Sequence, residues 1–135
     1  MNDLIKLIGN DDFYLSVKLS DILQKINNGQ NYQWKIMRLE AIMKNNSFYH
    51  IVELEEEISN SISGYIMQWE ELVELSNQIF QTIEILLVGD KDFKNNLTEE
   101  EMRVTYNYYI ELIDSSFWEI SSNDFLFLEK VKQLD

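Results

Sequence analysis

The residues best equipped for chemistry in this chain are carboxylates. The stretch from Val52 to Leu75, "VELEEEISNSISGYIMQWEELVEL", holds seven glutamates and no lysine or arginine. Carboxylates in pairs run glycoside or phosphoester chemistry when one is held neutral beside an ionised partner, or when both grip a metal. These glutamates sit on predicted outward faces, where a carboxylate keeps its ordinary acidity. Nothing in the sequence marks a raised acid beside an ionised one. The lone histidine, His50 in "SFYHIVEL", stands at the start of a predicted helix. A general base needs an orienting group and a nucleophile within reach. The chain has no cysteine, and none of its serines lies in a G-x-S-x-G turn. His50 therefore reads as a surface or capping residue.

Metal and phosphate chemistry fare no better. "GDKDFKNNLTEEE" has Asp90 and Asp92 two apart, as a calcium loop would, but the next ligand position is Lys94 and the obligatory glycine is Asn95. There is no H-E-x-x-H and no cysteine pair for zinc. With four glycines in the chain there is no G-x-G-x-x-G and no Walker loop. No catalytic set, cofactor or metal is expected, and the chain is not read as an enzyme.

The elements that would carry the glutamates follow from periodicity. Ile51, Leu54, Ile58 and Ile62 recur at three and four, an apolar helical stripe with Glu53, Glu56 and Glu57 pointing away and Glu55 at its edge. Ser63-Gly64 breaks that helix. A second begins near Trp69, with Trp69, Leu72, Val73, Leu75, Ile79, Phe80 and Ile83 inward and Glu70 and Glu74 outward. "EILLVG" is either its tail or a buried strand. Upstream, "FYLSVKL" alternates like a half-buried strand. Asp21 with Gln24 caps a short helix that Gly29 ends. "YQWKIMRLEAIMK" alternates with Met37, Leu39, Ala41 and Met43 on one side and Trp34, Ile36, Arg38, Glu40 and Ile42 on the other. Downstream, Thr98 with Glu101 forms a capping box. Val104, Tyr106, Tyr108, Ile110 and Leu112 then alternate as a strand, with Tyr109 outward. Asp114–Ser116 turns into "FWEIS" as a hairpin partner. Ser122 or Asn123 caps a last helix with Phe125, Leu128, Val131 and Leu134 inward. The sum is an α+β fold: a small, mostly antiparallel sheet with three or four helices packed on it, in a single domain spanning residues 1–135.

Composition narrows the partner. Aromatic content of 13% and hydrophobic content of 45% fit a folded core. The opening "MNDLIKLIGNDDF" lacks a basic leader and apolar run, so no secretory signal is expected, and "IEILLVG" is too short to cross a bilayer. A cytoplasmic protein is expected. The net charge is −13, and no Lys or Arg occurs between Lys44 and Lys91. Binding phosphates requires clustered bases, so neither nucleic acid nor an anionic membrane is expected as a direct partner. A basic protein is. The simplest alternative is that the two helices merely keep a wet acidic face. As binding residues the geometry singles out Glu53, Glu56, Glu57, Glu70 and Glu74 for steering, with Tyr65, beside Gly64 between the helices, as the anchor.

"SGYIMQWEELVELSNQIFQTIE", with Ser63, Gly64, Trp69, Leu72, Leu75 and Gln81, resembles a pattern of bacterial immunity proteins of contact-dependent inhibition and other polymorphic toxin systems. Trp34, Leu39, Glu40 and Ala41 in "WKIMRLEAI" are similar to the strand that precedes it. Two positions depart from the pattern: Gln68 stands for a better helix cap, and Glu84-Ile85 for Asp-Gly. The resemblance implies an immunity protein that occludes the basic active site of a cognate toxin domain, a nuclease by the charge argument. Two other readings remain open: a nucleic-acid mimic that inhibits a DNA-binding defence protein, and a small enzyme with an unrecognised carboxylate site.

Overall fold

The hairpin "YYIELIDSSFWEIS" forms as its alternation predicts. The turn between its strands holds Asp114 and Ser115, both at positive φ (52° and 57°), and the Ser116 N–H returns to the Ile113 carbonyl at 2.8 Å. A turn with two left-handed residues twists in the sense antiparallel strands need. The computed structural model describes residues 2–8, 17–47 and 50–134. Its strands are β1 (Asp3–Leu7), β2 (Gln33–Met43), β3 (Tyr65–Met67), β4 (Ile79–Asp90), β5 (Tyr108–Ile113) and β6 (Phe117–Ser122). They make one antiparallel sheet in the order β1-β6-β5-β4-β2-β3. The helices are α1 (Leu19–Leu23), α2 (Ile51–Ser59), α3 (Trp69–Gln78), α4 (Glu99–Thr105) and α5 (Phe125–Lys132). The α+β expectation holds, and the open "EILLVG" question resolves as strand, inside β4. Among the described residues no helix is long and apolar enough to cross a membrane.

Helices α1, α2, α3 and α5 each bury an apolar stripe on one face of the sheet, against Trp34, Ile36, Leu39, Ile85, Leu87, Tyr108, Ile110, Leu112, Trp118 and Ile120. A smaller apolar group occupies the other face: Leu86, Val88, Tyr106 and Tyr109, with Met37, Phe93, Leu97 and Met102 against them. It lies under α4 and the loop before it.

One bulge decides which β2 residues reach the main core. Ile36 pairs with Leu87, but Arg38 pairs with Leu86, so Met37 is an extra residue. An extra residue flips the inside-outside alternation. Trp34 and Ile36 before the bulge and Leu39 and Ala41 after it therefore share the main core, whereas unbroken alternation puts them on opposite sides. Met37 goes to the other face, and Arg38 and Glu40 fall outside the main core.

Several expected boundaries are displaced. Of the upstream alternating segment, Phe13 and Leu15 lie outside the described residues, and Leu19 opens α1 rather than ending a strand. Asp21 is the third residue of α1, not its cap, and its carboxylate accepts from the Lys18 N–H at 2.8 Å. The left-handed residue after that helix is Asn28 (φ 59°), not Gly29. Gly29 serves close approach instead: a Cβ there would lie 2.3 Å from the Trp69 ring. α2 stops at Ser59, so Ile62 is fully exposed. α3 stops at Gln78, and Ile79, Phe80 and Ile83 belong to β4, where ladder pairing with β2 outcompetes continuation of the helix. Phe80 is exposed there. Val104 is on α4 and exposed, because the Thr98–Glu101 capping box, which forms as expected, carries the helix to Thr105. Tyr109 is fully buried under α4, not outward. The last helix is capped by Asp124, whose side chain accepts from the Phe127 N–H at 3.1 Å, and it buries Phe127 rather than Phe125.

Candidate functional site

The acidic window folds into α2, β3 and α3. α2 turns Ile51, Leu54 and Ile58 to the core. With 100° between successive residues, Glu53 and Glu57 then share one flank, Glu56 points outward, and Glu55 shares the opposite flank with Ser59. Glu53, Glu56 and Glu57 are exposed. Gly64 (φ 98°) reverses the chain into β3, and a Cβ there would stand 2.6 Å from the Met37 sulfur. The break thus needs glycine for its backbone and for its contact. Tyr65 pairs with Ile36 and packs half-buried at the margin of the main core. α3 buries Leu72, Leu75 and Ser76, which leaves Glu70, Glu71 and Glu74 in solvent. Glu70 and Glu71 occupy its first turn, where the helix dipole favours them.

Tyr65 links the two helices. Its phenol is held above the ordinary range, first by burial, then by the charge of Glu57, to which it donates a hydrogen bond, and by Glu71. Carboxylates from α2 and α3 therefore both act on one phenol. Glu71 was missed because it is simply one more first-turn acid in the sequence. Among the described residues, Glu53, Glu56, Glu57, Glu70 and Glu74 form no ion pair with a Lys or Arg. Glu74 accepts from Gln78 Nε2 at 3.3 Å. Glu55 differs: its Oε1 accepts the Ala41 N–H of β2 at 3.0 Å. His50 precedes α2 and is exposed, with no capping hydrogen bond from its side chain.

The chain's ion-paired charge lies mainly elsewhere, on the opposite face of the sheet. Arg38 contacts Glu84, Glu99 and Glu111, and Arg103 contacts Glu111 and Glu119 at 3.4 and 3.3 Å. Glu111 is buried. Its Oε1 also accepts from the Tyr109 hydroxyl at 2.9 Å. Burial pushes the Tyr109 phenol up to about 12, against the pull of Arg103 and with the push of Glu111. Burial lowers both arginines, but their acidic neighbours more than reverse it: Glu99, Glu111 and Glu84 for Arg38, and Tyr109, Glu119 and Glu111 for Arg103. This network ties α4, which buries no residue of its own, to β2, β4, β5 and β6. Its chemistry is internal neutralisation of a buried carboxylate. The chain's two arginines both stand here. That choice over lysine was the available signal, because a planar guanidinium serves several carboxylates at once.

The described residues contain no group of three or more His, Asp or Glu side chains placed to hold a metal. No family model matches the chain, and no curated protein or solved structure is significantly similar to it.

Proposed function

We propose that this chain is a cytoplasmic immunity protein that binds a basic toxin domain, a nuclease by charge complementarity, and blocks it without catalysis. One observation carries the reading. The base-free window puts two helices on one side of the sheet, and their Glu53, Glu56, Glu57, Glu70 and Glu74 form no ion pair with a Lys or Arg among the described residues, while the arginines are consumed on the other side. Such a surface raises the encounter rate with a cationic cleft by roughly ten- to a thousand-fold at low salt. Affinity then comes from a desolvated anchor, a role for Tyr65, whose phenol feels both Glu57 of α2 and Glu71 of α3.

The gene beside that of this chain supplies the candidate partner. Co-expression with its toxin domain should restore growth, and the purified pair should associate with a rate that falls steeply with ionic strength. Reversing Glu56, Glu70 and Glu74 to lysine should slow association by roughly a hundred-fold and flatten its salt dependence. Growth arrest that the chain does not relieve, or an unchanged association rate in the triple variant, overturns the reading.

A further inference from the structure

The outer edge of β2 is unfinished. β2 runs eleven residues, yet β3 pairs with only Trp34, Lys35 and Ile36. From Arg38 to Met43 no strand lies on that side among the described residues, which leaves about 20 Å of open edge. In an antiparallel ladder, alternate residues turn both main-chain groups to the same side. Ala41 is one of those facing outward, because its N–H is taken by Glu55 Oε1. A carboxylate oxygen thus stands where the carbonyl of a neighbouring strand would stand. Leu39 and Met43 share the parity of Ala41.

Beside this edge runs an open groove of about 320 Å³, lined by Leu39 and Glu40 of β2 and by Val52, Glu55, Glu56 and Ser59 of α2. The four α2 residues are spaced i, i+3, i+4 and i+7, a single stripe of the helix. The groove is therefore the gap between a helix flank and a bare sheet edge. Its apolar members include Val52, 65% exposed, and Ile42 stands exposed on the neighbouring strand position.

We propose that this edge receives an extended segment of the partner as a seventh strand, one in which lysine or arginine alternates with apolar residues. Main-chain pairing holds the segment; its cations, all on one face of the strand, meet Glu55 and Glu56 on the α2 side, and its apolar residues lie on the other face beside Ile42. Glu55 keeps the Ala41 N–H occupied until a carbonyl replaces it, and then turns to a cation. The proposal rests on the reading of a basic protein partner and adds how that partner is gripped.

The probe is a synthetic peptide of alternating Lys and Val, seven residues long and blocked at both ends, titrated into the full chain and followed by amide hydrogen exchange and NMR shifts. Binding should slow exchange at Leu39, Ala41 and Met43. The same peptide N-methylated at alternate amides should bind about ten-fold more weakly, the effect of removing main-chain donors. A Glu-Val peptide should not bind. Val52→Arg, at an exposed position, should fill the groove and abolish protection while leaving the fold intact. Binding without slowed exchange at those amides overturns strand addition, as does equal binding of the N-methylated peptide, equal binding of the Glu-Val peptide, or no binding at all. The association test with the folded toxin domain is separate, so these failures leave the basic-partner reading standing.

Discussion

If the acidic surface is kept for a partner rather than for stability, relieving it should stabilise the isolated chain. Glu74→Lys is the cleanest perturbation. Glu74 is exposed on α3 one turn after Glu70, and the last turn of α3 carries no base. Like charges at i, i+4 destabilise a helix by about 0.2–0.5 kcal/mol, and a Glu followed four residues later by Lys stabilises it by a similar amount. A cation near the C-terminal end of the helix adds about 0.3 kcal/mol. The loss is the long contact from Gln78, 3.3 Å and exposed, of about a few tenths of a kcal/mol. The net expectation is about 0.5–1 kcal/mol of added stability, or about 2–5 °C in Tm for a chain of this size. Differential scanning calorimetry at low and high salt reads it. The gain should shrink in ~1 M salt, where the screening length falls to ~3 Å. A lower Tm, or a gain that salt leaves untouched, refutes the electrostatic argument. Under the proposed function the same substitution also slows association with the toxin domain, so stability and binding should move in opposite directions.

Three further outcomes follow from the packing. Gly89→Ala places a Cβ 2.5 Å from the buried Trp34 ring, itself held by Trp69 and Tyr108, and should cost roughly 1–3 kcal/mol, read as a lower urea midpoint at unchanged m-value. Glu111→Gln removes the buried charge that Arg38, Arg103 and Tyr109 share; because both arginines are partly solvated, the cost should be about 2–4 kcal/mol, with faster hydrogen exchange throughout α4. The phenol of Tyr109 is raised to about 12 in the folded chain against about 10 when unfolded, so its stabilising effect is complete below pH 10 and drains away as the pH climbs through 12. Urea midpoints should therefore fall above pH 10, with tyrosinate absorbance rising together with unfolding; ionisation of Tyr109 well before unfolding would contradict its burial.

The sequence alone determined what depends on local pattern. The helical period of Ile51, Leu54 and Ile58, the Gly64 break, the Thr98–Glu101 box and the Asp114–Ser116 turn are each set by a few neighbouring side chains and their backbone preferences. The outward placement of Glu53, Glu56, Glu57, Glu70 and Glu74 followed from the same periods, as did the absence of cations within the window. Tertiary structure decided what depends on partners distant in the chain. The Met37 bulge exists only relative to β4, and it reverses the facing of half of β2, sending Arg38 to Glu99, Glu84 and Glu111. Tyr109 is buried because α4 folds back over the strand it precedes, a contact that no alternation of apolar and polar residues encodes. Glu55 meets Ala41 for a similar reason: β3 covers only Trp34 to Ile36 of β2, and the Ala41 donor farther along that edge is taken by a carboxylate of α2. Periodicity reports which way a side chain points relative to its own element. Which surface it then meets is fixed by how elements far apart in sequence share one core.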